Sequence, residues 1–412
     1  MWLRHRGQRA GTPQFRYERF GGIVALHRPR GLAYVDRDYA RGLGYAASPL
    51  WDTPELLGGS LLGSAPLSAP TEVHLVLSKR CAAGCTGCYV DATPDGAAFS
   101  EADAKTALDR LAALGVFHVA LGGGEAVDLP YLISVARHAR AVGITPNLTT
   151  SGLSVDDTFA REAAGVFGQV NVSLDGVRED YLASRGFDGF APALRGLQRL
   201  RAHSPHVGIN CVVSRSNADR LAPLVALAKR LRLSEVEFLR FKPAGRGVSD
   251  FADRDLTPAQ AERIYPRALW FALRYRMRIK LDCSFAPMIF AHDPPRAVVD
   301  FFGVQGCVGG DVLASVMPDG QWKGCSFGGP DEGRIGDGSD ADRWKKGFGA
   351  FRNFVTQAPE PCRSCNYLHL CKGGCRVVAQ ARGDWWQPDP GCPRVQAHAA
   401  KQPPTHVSLP IV

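Results

Sequence analysis

Hydrophobic and polar positions alternate in two different ways along the chain from residue 72 onward. Short apolar runs bounded by polar residues predict strands, and the intervening stretches, in which apolar side chains recur every three or four positions, predict amphipathic helices. Strands are predicted at 72–77, 117–121, 144–150, 169–174, 206–213 and 235–241. Helices are predicted at 101–114, 129–142, 221–232 and 258–276, the first with Ser100 as its N-cap.

This alternation predicts an α/β fold. Apolar strands separated by helices form a parallel sheet, and right-handed crossovers curve six such units into a partial (β/α)6 TIM-like barrel. Four motifs follow predicted strands: a Cys-rich loop at 81–88, GGGE at 122–125, TTSG at 149–152 and SLDG at 173–176. Because barrels of this kind have their chemistry at the carboxyl ends of the strands, these motifs are predicted to meet in one site.

The two ends of the chain follow other patterns. Residues 22–35 predict two short strands around an RPRG turn, and a helical turn is predicted to begin at Pro54. Beyond Ser284 the alternation stops, and the stretch LASVMPDGQWKGC (313–325) predicts a hairpin on its PDG turn. The predicted segments are a small β-rich segment (1–70), the partial barrel (71–283), a Cys-rich domain (284–395) and a loosely held tail (396–412).

Twelve cysteines carry the candidate chemistry. Cys81, Cys85 and Cys88 lie on one loop directly after a predicted strand, and eight others fall between 283 and 392. Thiolates bind iron–sulfur clusters, zinc or copper(I), and structural zinc prefers four ligands in paired CxxC knuckles. Three ligands on one loop leave one position open, which in a cubane cluster is an iron free to bind a substrate. A zinc site or a purely structural cluster is the alternative.

The spacing Cys81-x3-Cys85-x2-Cys88, followed by the aromatic Tyr89, resembles that of the radical S-adenosylmethionine (SAM) superfamily. In that family the open iron chelates the amino and carboxylate groups of SAM. Reduction of the cluster then gives methionine and a 5′-deoxyadenosyl radical, which abstracts hydrogen from the substrate. The resemblance implies that the three cysteines are catalytic, while the protein orients the cofactor and excludes water.

Further motifs resemble cofactor contacts of the same family. GGGE resembles a motif that meets the amino group of SAM, and glycines let a backbone approach a ligand closely. TTSG offers hydroxyl groups for the ribose or the carboxylate, and ASRGF (183–187) holds an arginine that matches a carboxylate-binding one. The implied cofactor-binding residues are Tyr89, Gly123, Gly124, Glu125, Thr150, Ser151, Ser173, Asp175 and Arg185. For the polar ones among them, a capping or turn role is the alternative.

The C-terminal cysteines resemble a SPASM domain, which many radical enzymes append to the barrel. The resemblance implies two auxiliary clusters, and zinc is again the physical alternative. One would be held by Cys362, Cys365, Cys371 and Cys392, the other by Cys307, Cys325 and Cys375. Cys283 is the expected eighth ligand, although 23 residues separate it from Cys307. The expected cofactors are therefore SAM and three [4Fe–4S] clusters, and Cys211 is left over as a buried core thiol.

SPASM-bearing enzymes usually act on peptides, so the resemblance implies a peptide or protein substrate, with or without a leader segment. The leading hypothesis is a peptide-modifying maturase that installs a crosslink or oxidises a residue. A flavodoxin- or ferredoxin-type protein is the expected electron donor. The N-terminal strands offer an edge for a leader by β-augmentation, and a plain cap on the barrel is the other interpretation.

Four other functions are weighed against this hypothesis. Sulfatase maturases carry an aspartate base directly after the cysteine at the position of Cys325, and this chain has Ser326, so Asp282 or Asp311 would have to serve. Related enzymes oxidise small molecules, usually with shorter auxiliary regions. An iron–sulfur electron carrier or redox sensor would need none of the GGGE, TTSG and SLDG motifs. Epimerisation would need a hydrogen donor, for which Cys211 is the spare thiol.

Charge and composition restrict the partners and the compartment. The formal net charge is +9, and eleven thiolates around three [4Fe–4S]²⁺ clusters lower it to about +4. The arginines are scattered, so nucleic-acid binding is not predicted. No stretch approaches the ~18 apolar residues of a membrane span, and the basic N-terminus has no apolar signal region. A cytoplasmic protein without a membrane partner is predicted.

Overall fold

The computed structural model describes residues 14–27, 30–52 and 66–401. The helical turn predicted at Pro54 lies outside these ranges, as do two residues of the RPRG turn and most of the predicted tail. No helix within the three ranges is long and apolar enough to cross a membrane.

Twelve strands are described, and they form two sheets. They are β1 (Phe15–Glu18), β2 (Gly21–His27), β3 (Arg30–Asp36), β4 (Glu72–Ser78), β5 (His118–Gly123), β6 (Thr145–Thr150), β7 (Val170–Ser173), β8 (Val207–Val213), β9 (Glu235–Arg240), β10 (Arg278–Leu281), β11 (Leu313–Val316) and β12 (Trp322–Lys323).

Seventeen α-helices are described in the same ranges. They are α1 (Arg37–Gly42), α2 (Glu101–Ala113), α3 (Leu132–Ala141), α4 (Asp157–Val166), α5 (Glu179–Arg185), α6 (Phe190–His203), α7 (Ala222–Arg230), α8 (Phe251–Arg254), α9 (Pro258–Tyr275), α10 (Ala286–Phe290), α11 (Arg296–Phe302), α12 (Asp340–Lys346), α13 (Gly349–Arg352), α14 (Phe354–Gln357), α15 (Leu368–Cys371), α16 (Arg376–Ala381) and α17 (Pro393–Ala399). Ser100 caps α2 as predicted, its side chain accepting from the backbone N–H of Asp103.

The larger sheet has nine strands in the order β10-β9-β8-β7-β6-β5-β4-β11-β12. Strands β4 to β10 run parallel, each connected to the next through helices, which confirms the partial (β/α)6 barrel. All six predicted strands are present, with ends that differ from the predicted ones by at most two residues. A further parallel strand, β10, is too short and too charged (RIKL) for the hydrophobic pattern to predict it.

The two faces of the sheet differ in polarity. On β4 the side chains of Val73, Leu75 and Leu77 are fully buried in a core that includes residues of α2 and α3. The alternate side chain of His74 is half-buried and points to the other side. It is in register with Ala120 on β5, which is in register with Asn147 on β6. This second side, called the inner face below, is lined by half-buried and largely polar positions.

The C-terminal region completes the barrel sheet. Strand β11 pairs in parallel with β4, from Leu313 opposite Glu72 to Val316 opposite Leu75. It also forms the predicted hairpin with β12, and Gly320 adopts a φ of +82° in the turn. Strands from both sides of the predicted domain boundary near residue 283 therefore belong to one sheet.

The three-stranded antiparallel sheet β1-β2-β3 lies against the starts of the barrel strands. Arg16 donates to the carbonyl oxygens of Pro70 (2.7 Å) and Gly115 (3.0 Å), which precede β4 and β5, and stacks over Phe117. Its charge is balanced by buried Glu18 at 2.9 Å. The sheet thus lies at the end of the barrel opposite to the predicted site.

Candidate active site

The Cys81–Cys88 loop begins three residues after β4 ends. Its thiols are half-buried and form no disulfide. Backbone N–H groups point at two of the sulfurs: Ala83 lies 3.4 Å from Cys81 Sγ, and Ala92 lies 3.4 Å from Cys88 Sγ. Such N–H groups stabilise thiolates, so the loop is suited to bind a metal centre.

Three arginines hold this loop. Arg185 lies with Nη1 3.7 Å from Cys85 Sγ, and Arg246 donates from Nε to the carbonyl oxygen of Cys85 at 3.2 Å. Arg254 donates to Thr86 Oγ1 at 3.2 Å and to the backbone of α5. The sequence reasoning missed Arg246 and Arg254, because they lie about 160 residues beyond the loop and belong to no motif.

The GGGE glycines pack against the segment that leads to Cys81. The N–H of Gly124 donates to the carbonyl oxygen of Ser78 at 2.6 Å. A Cβ at Gly123 would lie 2.1 Å from that oxygen, and one at Gly124 would lie 2.0 Å from the carbonyl oxygen of Arg80. Any side chain would therefore displace the cysteine loop. At Gly122, in contrast, no described residue beyond its two chain neighbours lies within 4 Å of a Cβ position, so this part of the inner face is open.

Glu125 joins the GGGE and TTSG motifs. Its carboxylate accepts from Thr150 Oγ1 (2.7 Å), from the backbone N–H groups of Ser151 (2.8 Å) and Val127 (3.1 Å), and from the Ser151 hydroxyl. Burial raises the pKa of Cys81, and the negative charge of Glu125 raises it further. The structure thus brings these predicted residues together. Their roles as cofactor contacts stay predictions.

The SLDG motif is linked to the loop through an ion pair. Asp175 accepts from the backbone N–H of Val212 at 2.7 Å, and its other oxygen lies 2.6 Å from Arg185 Nε. Burial lowers the pKa of Arg185, but the charges of Asp175 and Cys85 raise it by more. Arg185 is therefore a fixed cation beside Cys85. Ser173 lies two residues before Asp175, half-buried at the end of β7.

The thiols of Cys283, Cys307, Cys325 and Cys375 form a first C-terminal group. Burial raises the pKa of Cys325 to about 12, and the nearby Cys307 and Cys375 contribute to the increase. Burial also raises the pKa of Cys283 well above its ordinary value, with Cys307, Asp282 and Cys375 adding to the effect. These interactions show that Cys283 lies near Cys307 and Cys375. Its position is set by strand β10, which ends two residues before it.

A second group consists of Cys362, Cys365, Cys371 and Cys392, which line one cavity together with Tyr367 and residues of α10. Burial raises the pKa of Cys362 to about 12, and Cys392 and Cys365 add to it. The structure therefore brings together the same four cysteines that the sequence pattern grouped.

The donor set of all three groups fits iron–sulfur clusters. Within the described residues, no three His, Cys, Asp or Glu side chains converge on one point as ligands of a single ion. A cubane cluster needs no such convergence, because each thiolate binds a different iron. The raised thiol pKa values mean that cluster binding must release protons.

An aromatic contact joins the loop to the first C-terminal group. The ring of Tyr89 lies 4.7 Å from that of Phe327, two residues beyond Cys325. Lys242 Nζ lies 4.3 Å from the centre of the Phe327 ring and forms an ion pair with Asp282. The other acid weighed as a base, Asp311, forms an ion pair with Lys372. The carboxylates of Asp282 and Asp311 are thus each paired with a lysine.

Cys211 is a buried core thiol, as predicted. Its exposed fraction is 0%, and it lies in the main core on the helix-covered side of β8. Burial raises its pKa well above the ordinary value. A thiol on this side does not face the inner face, where a substrate radical would need a hydrogen donor.

Comparison with known proteins decides the family. Residues 75–227 match the model of the Radical SAM superfamily. The PqqA peptide cyclase of Ruegeria pomeroyi is 30% identical over 364 residues, in an alignment that covers 82% of this chain and 91% of that protein. The chain belongs to the radical SAM superfamily. Membership implies one [4Fe–4S] cluster and SAM as cofactors, and it makes the chain an enzyme.

Other radical SAM relatives resemble the chain over a similar length. The mycofactocin maturase MftC of Mycobacterium tuberculosis is 29% identical over 343 residues (81% of this chain, 85% of that protein). The AdoMet-dependent heme synthase of Methanosarcina barkeri is 28% identical over 349 residues (79% and 97%). The fold matches that of Streptococcus suis SuiB bound to precursor peptide SuiA, with a TM-score of 0.71 at 16% identity, covering 92% of this chain and 98% of that one.

Proposed function

We propose that this radical SAM enzyme modifies a peptide, by abstracting hydrogen from one residue and oxidising or crosslinking it. The observation that carries the proposal is the 30% identity to a PqqA peptide cyclase, which extends over 91% of that enzyme. A relative named as a maturase and a similarly folded protein bound to a precursor peptide agree with it.

The proposal includes three [4Fe–4S] clusters. Reductive cleavage of SAM to methionine and a 5′-deoxyadenosyl radical is the chemistry that the first one supplies when bound. Its ligands would be Cys81, Cys85 and Cys88. The two auxiliary sites would be formed by Cys283, Cys307, Cys325 and Cys375, and by Cys362, Cys365, Cys371 and Cys392. The grouping of these thiols and the chemistry of soft sulfur ligands support the assignment.

The roles of the surrounding residues follow from their charges. Arg185, a cation held by Asp175, would bind the carboxylate of SAM beside Cys85. Glu125, fixed by hydroxyl and backbone donors, would accept from the amino group. Tyr89, Gly123, Gly124, Thr150, Ser151 and Ser173 complete the proposed cofactor contacts. The polar inner face, left open at Gly122, would receive the substrate residue.

The N-terminal sheet is the proposed contact for a leader segment. Among the described residues, the outer edges of β1 and β3 pair with no other strand. The carbonyl oxygens of Tyr17 and Glu18 on β1 already accept from Ser68 and Trp51, so β3 is the proposed edge for a leader. A role as a cap on the strand starts is the alternative, supported by the contacts of Arg16. A cytoplasmic location also belongs to the proposal, since none of the twelve thiols forms a disulfide. A flavodoxin- or ferredoxin-type electron donor belongs to it as well, because the cluster must be reduced before SAM is cleaved.

A second candidate function is modification of a small molecule. The identity to a heme synthase over 97% of its length favours this candidate, because that relative is not named for a peptide. A sulfatase-maturase reaction is less well supported, because the two acids that would replace the missing aspartate form ion pairs with lysines. The chain's similarity to enzymes along most of its length leaves no support for an electron carrier.

Anaerobic reconstitution with SAM and dithionite tests the radical chemistry, through the yield of 5′-deoxyadenosine. Co-expression with a short peptide encoded beside the enzyme's gene, followed by mass spectrometry, tests the substrate class. We expect a mass loss of about 2 Da, which corresponds to two hydrogens removed. An unchanged peptide despite 5′-deoxyadenosine formation would contradict the peptide proposal and favour a small molecule.

A further inference from the structure

His74 occupies an unusual place on the inner face. It lies on β4 in the middle of the sheet, and 32% of its side chain is exposed. Its Nδ1 lies 3.1 Å from Ser326 Oγ, and its Nε2 lies 3.6 Å from Glu72 Oε1. The second distance is too long for a hydrogen bond, so Glu72 is a nearby carboxylate that leaves the hydrogen-bonding capacity of Nε2 unused.

The partner of His74 lies between the proposed cluster sites. Ser326 directly follows Cys325 and directly precedes Phe327, whose ring packs on Tyr89 at the end of the cysteine loop. The side chain of Ser326 is buried, and its contact with His74 therefore fixes the imidazole between the loop and the first C-terminal group. A substrate residue on this part of the inner face would meet the imidazole.

The two acids weighed as bases in a sulfatase-type reaction, and the acid of the GGGE motif, already have strong partners. Asp282 forms an ion pair with Lys242, and Asp311 forms one with Lys372. Glu125 accepts four hydrogen bonds inside the protein. In contrast, the polar contact of His74 Nε2 among the described residues is the carboxylate of Glu72 at 3.6 Å.

Given the proposed function, we propose that His74 is the catalytic base that deprotonates the substrate. Hydrogen abstraction breaks a substrate C–H bond and leaves a carbon radical. That radical then forms a bond to a neighbouring X–H group (N–H, O–H or C–H) of the same peptide. The proton of X–H goes to His74 Nε2, and one electron goes to an oxidised auxiliary iron–sulfur cluster. Two bonds to hydrogen, the C–H and the X–H, are thus replaced by the new C–X bond. The hydrogen atom goes to the 5′-deoxyadenosyl radical, the proton to His74 and the electron to the cluster, so atoms and charge balance.

Ser326 and Glu72 position and support this base. When Nδ1 carries the proton and donates to Ser326 Oγ, Nε2 is left as the acceptor. Burial raises the pKa of Glu72, but its contacts with His74, His118 and Lys280 lower it by more, so Glu72 stays an anion. An anion 3.6 Å away stabilises the imidazolium that forms when Nε2 takes the proton.

The first test separates hydrogen abstraction from product formation. The holoenzyme variants His74→Gln and His138→Gln are compared with the wild type on the short peptide encoded beside the gene. His138 lies on the outer surface, bound to Asp109, and is the matched control. We expect His74→Gln to keep its iron and its 5′-deoxyadenosine yield while the modified peptide falls about 100-fold or more. Unchanged product from His74→Gln would overturn the assignment.

The second test needs no variant. Diethyl pyrocarbonate reacts with unprotonated imidazole nitrogens, and mass spectrometry maps the products. In the wild-type holoenzyme we expect His74 to react and to be protected several-fold by the same peptide, while His138 reacts equally in both samples. Equal reaction of His74 with and without peptide would show that the substrate does not meet it.

The two proposals fail in different ways. Should the wild type leave the peptide unmodified, the proposed function is wrong and the role of His74 is wrong with it. Should the wild type and His74→Gln modify it equally, the peptide function stands and only the base is wrong.

Discussion

The cysteine loop of the barrel and the first C-terminal thiol group differ in what surrounds them. All three thiols of the loop are half-buried at the open inner face, and arginines hold the loop through its backbone and one sulfur. In the C-terminal group Cys307 and Cys375 are 6% and 5% exposed, while Cys283 and Cys325 are half-buried. A nearby cation, Lys242, is itself buried. The first arrangement leaves room for a ligand at the metal centre, whereas the second encloses it.

The difference indicates two uses of the same ligand chemistry. A thiolate site open on one side suits a cluster that binds and cleaves a cofactor, because the cofactor must reach an iron. A site closed by protein and flanked by a buried cation suits a cluster that only exchanges electrons, because a cation stabilises the reduced form. The comparison therefore predicts that substitutions in the loop abolish SAM cleavage, whereas substitutions in the C-terminal group affect only the later electron transfer.

The largest expected effect separates the two regions outright. Cys85→Ala removes a ligand from the open site, so we expect 5′-deoxyadenosine formation to fall below detection. Cys325→Ala, in the first C-terminal group, should keep that reaction while losing about four irons per chain and the modified product. Anaerobic iron analysis and 5′-deoxyadenosine quantification check both variants, with Cys211→Ala as the control. Equal loss of 5′-deoxyadenosine in both would show that the regions do not act separately.

The next effect concerns the ion pairs that connect the regions. Arg240 on β9 binds Asp389 through two contacts of 2.8 and 3.1 Å, and both side chains are 0% exposed. Asp389 also accepts from the backbone N–H of Cys375, and Asp255 is the second partner of Arg240. Arg240→Leu leaves a buried carboxylate unpaired, so the free energy of unfolding should fall by about 3 kcal/mol or more.

Anaerobic guanidinium denaturation, followed by tryptophan fluorescence, measures this loss of stability. The matched control is Arg296→Leu, since Arg296 and Asp300 form an exposed pair on one helix that contributes little. Iron content should also fall in Arg240→Leu, because Asp389 lies between Cys375 and Cys392 in the chain. A variant as stable as the control would show that the ion pair does not join the regions.

The sequence predicted most of the barrel because its signals are local. Apolar strands and amphipathic helices are visible within short windows, and the spacing of cysteines within 81–88 or 362–375 is itself local. The position of Cys283 near Cys307, in contrast, depends on tertiary structure. It is set by the pairing of β10 with β9, because β10 ends two residues before Cys283. Strand pairing at that distance leaves no periodic signal, which is why β10 was missed.

The parts of the site that depend on tertiary contacts were not predictable. Nothing local to Arg246 or Arg254 indicates that they hold the cysteine loop, and the contact between His74 and Ser326 joins positions 252 residues apart. The GGGE glycines were predicted to approach a ligand, and the structure shows them packed against the backbone of Ser78 and Arg80. A glycine motif indicates a close approach but does not identify the partner.

The smallest expected effect tests the buried cation itself. Lys242 forms an ion pair with Asp282, next to Cys283, and stacks over Phe327, two residues beyond Cys325. Burial lowers the pKa of Lys242, but Asp282, Cys375 and Cys283 raise it by more, so it stays charged. Lys242→Met removes a positive charge and leaves Asp282 unpaired, and both changes disfavour an added electron.

The midpoint potential of one auxiliary cluster should therefore fall by about 60 mV, which is about tenfold in the one-electron equilibrium. A redox titration followed by electron paramagnetic resonance measures it, with Lys105→Met, a half-buried lysine paired with Glu101 on α2, as the control. The SAM-cleaving cluster should keep its potential, because Lys242 lies with the enclosed group. A change in the midpoint potential of the SAM-cleaving cluster instead would show that Lys242 acts on the open site. The buried cation would then no longer distinguish the enclosed group from the loop.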